Sequence, residues 1–319
     1  MSQRSENDDI AAPEGAEADL EEVLPEPQPP LGRRERMRRR ILRSTALLPA
    51  LFTVSNGLCG FASIHFATKD GLGALDAAQM ANLPANLYIA GWLIVVAMVC
   101  DMLDGSLARL ARRTSDFGGQ LDSLSDVISF GVAPAMLMAR TVLAVLREQS
   151  TNVVAERTIL CVAGVYVACA ALRLARFNVE NEPDEASHLT FSGLPSPGAA
   201  AAVLAPVLLL AWHVSSHGLT IVPGGWLFYA VSAGLPALTL TAALLMVSRI
   251  KYPHTVNQYI RGKRPFGYLV RLVVIALAVT LYPLETGAGV AIAYVVWGPL
   301  RAIYRALAGR RKPEKIEIP

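Results

Sequence analysis

The 319-residue sequence predicts an all-α, polytopic membrane protein of about eight transmembrane helices. Three observations lead there. Hydrophobic residues make up 53 % of the chain, and its mean hydropathy is +0.40. Charged residues make up only 17 %, where a soluble domain carries roughly 25 %. The apolar residues gather into runs of about 20, the length a helix needs to cross the hydrocarbon core of a bilayer.

The spans follow in order. No charged residue stands between Arg43 and Lys69, which predicts a first span near 46–67. The second covers 87–108 and carries Asp101 and Asp104 in its last turns. The third runs from Phe117 to Leu146 and the fourth from 158 to 178. From Ala186 to Ser248 there is no Lys, Arg, Asp or Glu, room for a fifth span near 196–213 and a sixth near 226–248, separated by a loop HVSSHGLTIVPGG. A seventh near 266–284 and an eighth near 287–307 complete the set.

Basic residues set the orientation, because cytoplasmic loops hold the excess of Lys and Arg. Seven arginines precede span one in RRERMRRRILR. Arg109, Arg112 and Arg113 follow span two, and Arg173 and Arg176 end span four. Arg249, Lys251, Arg261, Lys263 and Arg264 follow span six, and Arg310, Arg311, Lys312 and Lys315 close the chain. The other side holds Lys69, Arg147 and Arg157. Both termini are expected in the cytoplasm, and the membrane is expected to be the cytoplasmic (inner) cell membrane. The expected organisation is a disordered acidic tail and basic juxtamembrane segment over 1–43, a membrane-embedded catalytic domain over 44–309, and a cytoplasmic tail over 310–319. The tail EGAEADLEEVLPEPQPP has too few apolar residues to fold. Cys59, Cys100, Cys161 and Cys169 lie in apolar stretches without C-x-x-C spacing and read as packing residues, not metal or redox centres.

The residues that ask for a function are four aspartates at the cytoplasmic mouth of spans two and three. Side chains at i, i+3 and i+4 share a helix face. Asp101, Asp104, Gly105 and Ala108 therefore form one stripe, and Gly118, Asp122 and Asp126 another. If the stripes face each other, four carboxylates converge in a partly desolvated cleft, where they need compensating charge. One or two divalent cations would provide it, and hard oxygen ligands suit Mg²⁺ or Mn²⁺. Such ions act on phosphate oxygens and clamp in-line displacement at phosphorus. The alternative is structural: ion pairs with Arg109, Arg112 and Arg113, or helix capping.

Asp101-x-x-Asp104-Gly105-x-x-Ala108-Arg109, eight residues, then Gly118-x-x-x-Asp122-x-x-x-Asp126 resembles the full signature of the CDP-alcohol phosphatidyltransferase family. The resemblance implies a helical, homodimeric membrane enzyme that moves a phosphatidyl group from a CDP-linked lipid to an alcohol and releases CMP. By position it implies that Asp101, Asp104, Asp122 and Asp126 hold two metal ions and that Asp126 is the general base. It also implies that Gly105, Ala108, Arg109, Ser115 and Gly118 serve the CDP moiety.

Three further stretches resemble the membrane-embedded phosphatidylserine synthases: LLPALFTVSNGLCGFASI in span one, ALRLARFNV with FSGLPSPGAAA, and LLMVSRIKYP. They imply CDP-diacylglycerol and L-serine as substrates. A serine carboxylate needs a cation. Arg173 and Arg176, one turn apart, with Asn178 after them, are either that site or topology signals and a cap. Asn56, polar inside span one, faces the CDP-lipid cleft or joins two helices. Ser196, between Pro195 and Pro197, is a polar candidate at the entrance. Other acceptors are glycerol 3-phosphate, inositol phosphate and choline, and a reading of a different class makes the aspartates the ion site of a cation transporter. His213 and His217, at metal-compatible i, i+4 spacing, are placed in an outer loop with no carboxylate near. Arg140 is placed near the outer end of span three, where its head snorkels to the interface. Tyr88, Trp92, Trp212, Trp226 and Tyr229 read as interfacial anchors. No nucleic-acid partner is needed to explain the basic runs.

Overall fold

A computed structural model describes residues 33–69, 77–111, 116–147, 153–180, 193–250, 277–278 and 280–309. These are helical almost throughout, with no strand among the described residues. In chain order the elements are α1 (Arg33–Thr68), α2 (Ala77–Ala111), α3 (Asp116–Asp126), a π-helical turn π1 (Val127–Val132), α4 (Ala133–Arg147), α5 (Val153–Glu180), α6 (Ser196–His217), α7 (Trp226–Tyr229), a second π turn π2 (Ala230–Gly234), α8 (Leu235–Val247) and α9 (Pro283–Gly309).

Six helical segments among the described residues are long and apolar enough to span a bilayer: Pro49–Thr68, Ala81–Leu107, Phe117–Leu146, Val153–Val179, Ser196–His217 and Trp226–Val247. The chain is a polytopic helical membrane protein. The expected seventh span lies mostly outside the described residues, as do the tails over 1–32 and 310–319. The expected eighth falls on α9, which is helical but is not among these six. Pro49, Pro84 and Pro206 sit inside α1, α2 and α6, as transmembrane helices tolerate when neighbours satisfy the freed backbone groups.

The third span, built of α3, π1 and α4 in one continuous rod, is the hub. Its membrane window is 78 % buried, against 28–44 % for the other five. Phe130, Leu137, Met138, Val142 and Leu143 of this rod form the core with Ile94, Tyr166, Val203, Val207 and Met246. Around it α2 packs on α6, α5 on α8, and α9 on α6. Large apolar side chains such as Leu51, Leu58, Phe61, Leu160 and Leu172 remain exposed, as a bilayer solvent requires.

Two expectations are corrected here, the first by the central position of the third span. Arg140 does not snorkel: it is 0 % exposed, inside the packed interior, because helices surround the rod that carries it. The histidines are not in a loop: α6 continues to His217 and ends where Gly218 turns left-handed at φ 60°. A carboxylate is also near, with His213 Nε2 4.0 Å from Glu285 Oε1 at the start of α9. Cys59, Cys100 and Cys169 are half-buried while Cys161 is exposed, and all four are free thiols. Tyr88 rests against Trp212 at 5.9 Å between ring centres, so this aromatic pair joins α2 to α6.

Candidate active site

The site is assembled from α1, α2, α3 and α5. Asp101 and Asp104 come from the last turns of α2, and Asp122 and Asp126 from α3. Asp101, Asp122 and Asp126 each present an oxygen, and these three atoms lie within 4.8 Å of one another. Asp104 is not among them. It is 4 % exposed, and its Oδ2 accepts a hydrogen bond from Thr53 Oγ1 at 3.0 Å.

Helix α1 reaches α3 and π1 because its facing residues are small. A Cβ added at Gly57 would stand 3.1 Å from Ser125 Oγ, and one at Gly60 2.7 Å from Ser129 Cα. Close approach of this kind is the role of small residues between membrane helices. It permits two hydrogen bonds across the interface. Ser129 Oγ donates to the Asn56 carbonyl at 2.8 Å, and Asn56 Nδ2 donates to Asp126 Oδ1 at 2.9 Å. Asn56 is fully buried, so its bond fixes the orientation of a carboxylate that water would otherwise solvate. The π turn begins directly after Asp126. Such a widened turn is a frequent companion of functional positions, and here Tyr166 Oη donates to its Phe130 carbonyl at 3.1 Å.

On the α5 side, Asn178 Nδ2 donates to Ser123 Oγ at 2.9 Å, tying α5 to the residue next to Asp122. Arg173 Nη1 donates to Ser196 Oγ at 2.5 Å, while its Nε is buried with no hydrogen-bond partner among the described residues. Arg173 is within electrostatic reach of Asp126 and Asp101. Arg176 lies one turn further along the same helix. Ser196 opens α6 behind Pro195, and the preceding bend is fixed by Gly193, at φ 91°, whose N–H donates to the Ile250 carbonyl at 2.9 Å. A Cβ at Gly193 would collide with the Met246 carbonyl oxygen, so only glycine fits there.

Of the residues singled out for CDP, Gly105 and Gly118 are described on α2 and α3 and are partly buried. Ser115 and the side chains of Ala108 and Arg109 lie outside the described residues. Three contributors escaped the sequence reading: Thr53, Ser123 and Ser129. Thr53 carried a signal, standing one turn before Asn56 on the same face of α1. The two serines carried none, because a serine in a transmembrane helix is as often bonded to its own i−4 carbonyl.

The donor set suits a divalent cation. Three carboxylate oxygens this close repel one another in a low-dielectric cleft unless positive charge lies between them. Asp122 Oδ1 is buried without a hydrogen-bond partner among the described residues. Oxygens around a Mg²⁺ at about 2.1 Å stand roughly 3 to 4 Å apart, within the span of this group.

Comparison with known proteins identifies the family. A profile described as CDP-alcohol phosphatidyltransferase, a metal-dependent family, matches residues 46–243. The CDP-diacylglycerol–serine O-phosphatidyltransferase of Helicobacter pylori is 30 % identical over 258 residues, covering 81 % of this chain and 92 % of that protein. The protein of the same name from Methanocaldococcus jannaschii is 34 % identical over 179 residues, 56 % of this chain and 71 % of its own length. The archaetidylserine synthase of Methanothermobacter thermautotrophicus is 32 % identical over 220 residues, 68 % of this chain and 74 % of its own. A helical membrane body, three carboxylates converging between its second and third spans, and a profile match over most of that body lead to one conclusion: the chain belongs to the CDP-alcohol phosphatidyltransferase family.

Proposed function

We propose that this protein transfers the phosphatidyl group of CDP-diacylglycerol to the hydroxyl of L-serine, forming phosphatidylserine and CMP. The observation that carries the reading is the approach of Asp101, Asp122 and Asp126 to within 4.8 Å, with Arg173 within electrostatic reach of Asp101 and Asp126. Three relatives named for serine transfer support the acceptor. One of them is named for a different lipid, archaetidylserine, so serine is what the three names share.

In this reading the four aspartates hold two ions of Mg²⁺ or Mn²⁺, which when bound supply positive charge to the diphosphate oxygens. Gly105, Ala108, Arg109, Ser115 and Gly118 receive the CDP moiety, the small residues Gly105 and Ala108 leaving room beside the carboxylates for a flat ligand. The amide oxygen of Asn56, buried and unpartnered among the described residues, faces the same cleft. Asn56 Nδ2 holds Asp126 so that its other oxygen takes the proton of the serine hydroxyl. The serine oxygen bonds to the β-phosphorus, and the bond from that phosphorus to the bridging oxygen breaks. CMP leaves with that oxygen. Arg173, supported by Ser196, meets the serine carboxylate. Arg176 and Asn178 stand further along α5, Asn178 holding Ser123. The protein is a homodimer in the cytoplasmic membrane, with both termini and the active site on the cytoplasmic side, where serine and CMP are soluble.

Purified protein supplied with CDP-diacylglycerol, labelled serine and Mn²⁺ or Mg²⁺ tests this. Labelled phosphatidylserine and an equal amount of CMP are expected. CMP release that depends on another alcohol, with no labelled lipid, refutes serine as acceptor. Ion uptake into sealed vesicles without CMP release refutes the enzyme.

A further inference from the structure

We propose that Tyr294, on α9, works with Arg173 as a clamp that selects an acceptor alcohol bearing a carboxylate. This rests on the serine reading above and adds a residue to it. Arg173 presents one face to Ser196, through Nη1, and retains a buried Nε without a partner among the described residues. A guanidinium with an unmet donor in a dry site is costly unless a ligand supplies the acceptor. A planar carboxylate fits that need, because guanidinium N–H groups match its two oxygens.

Tyr294 is half-buried and reaches the same spot from a distant part of the chain. Its ring lies over Gly198, two residues after Ser196, where an added Cβ would stand 2.9 Å from Cε1 and 3.4 Å from Cδ1. Its hydroxyl is within electrostatic reach of Arg173. Arg173 is thereby within electrostatic reach of both the aspartate cluster and the Tyr294 phenol. The arrangement orders an amino acid acceptor: hydroxyl toward Asp126, carboxylate toward Arg173 and Tyr294. Tyr294 also lies beyond residues 46–243, the part matched by the family profile. The clamp is thus completed by a helix outside that shared segment.

The test compares serine with ethanolamine, the acceptor that lacks only the carboxylate, in wild-type protein and in Tyr294→Phe. Phenylalanine keeps the ring over Gly198, so packing is preserved and only the hydroxyl is lost. The expected result is a rise of about tenfold in the KM for serine, the loss typical of one hydrogen bond to a charged group. The KM for CDP-diacylglycerol should stay within about twofold, and the preference for serine over ethanolamine should shrink by the same factor as the serine KM rises. Arg173→Lys should reduce that preference further. Wild-type protein that makes no phosphatidylserine overturns the serine reading before any variant is measured. Wild-type protein that makes it while Tyr294→Phe keeps the serine KM and the preference overturns this inference alone.

Discussion

Replacing Gly60 with alanine should impair catalysis from a position that touches no substrate. The added Cβ would lie 2.7 Å from Ser129 Cα and 2.9 Å from its backbone nitrogen. Both are backbone atoms of π1, which cannot rotate away as a side-chain end would. Ordinary contact begins at 3.4 Å, so α1 and π1 must part by about 0.7 Å, well above what a packed interior absorbs locally. The Asn56 Nδ2 to Asp126 Oδ1 bond, 2.9 Å long, spans the same interface. Widened by about 0.7 Å it passes the distance at which a side-chain hydrogen bond persists. A misplacement near 1 Å in a reacting group costs on the order of 100-fold in rate, so a loss of about 10- to 100-fold in kcat is expected. Gly164→Ala is the control, because a Cβ there meets nothing within 4 Å. The assay is CMP release at saturating substrates, with thermal unfolding of both variants in detergent recorded in parallel. Equal activity of Gly60→Ala and Gly164→Ala would refute the idea that contact between α1 and π1 sets the position of Asp126.

Asp101→Asn, Asp122→Asn and Asp126→Asn should each lower CMP release by more than about 100-fold, and chelation of divalent ions with EDTA should abolish it until Mg²⁺ or Mn²⁺ is restored; measurable turnover after exhaustive chelation would contradict this. Thr53→Val removes the donor that holds buried Asp104 at 3.0 Å and should reduce kcat about tenfold, the scale of one hydrogen bond to a charged group. Thr53→Ser, which keeps the hydroxyl, should restore most of that loss, and equal rates for the two variants would count against a role for the hydroxyl. Asn178→Ala breaks an exposed bond to Ser123 and should alter kcat less than about threefold, since exposed pairs contribute little; a loss as large as that of Thr53→Val would show that Asn178 acts on substrate directly.

The fold class was legible because bilayer solvation writes itself into composition: a run from Ala186 to Ser248 without a charged residue admits few other readings. The aspartate pairs were legible for a related reason. Carboxylates at i, i+3 and i, i+4 in apolar helices are costly, and the spacing says that they share a face. What holds each carboxylate was not legible. Asn56 and Asp126 are 70 residues apart, and Thr53 and Asp104 are 51 apart. Helical periodicity orients a side chain about its own axis but does not say which helix stands opposite. Asp104 illustrates this: its spacing groups it with Asp101, while its hydrogen bond turns it toward α1. Helix ends escaped for a different reason. The stretch HVSSH has loop-like composition, yet α6 runs through it to Gly218, because a helix extends until a residue such as left-handed glycine ends it. Arg140 shows the limit of a local rule. Snorkelling needs a path to the interface, and no local pattern reveals that the third span is surrounded.

The most direct test of the carboxylate cleft is a titration of Mn²⁺ into the purified protein, followed by the electron paramagnetic resonance of the free ion. Saturable uptake is expected in the wild type and its loss in Asp122→Asn, whose folded state is checked by thermal unfolding. Uptake of equal strength in the folded variant would mean that the ion sits elsewhere, and that Asp101, Asp122 and Asp126 come together for another reason.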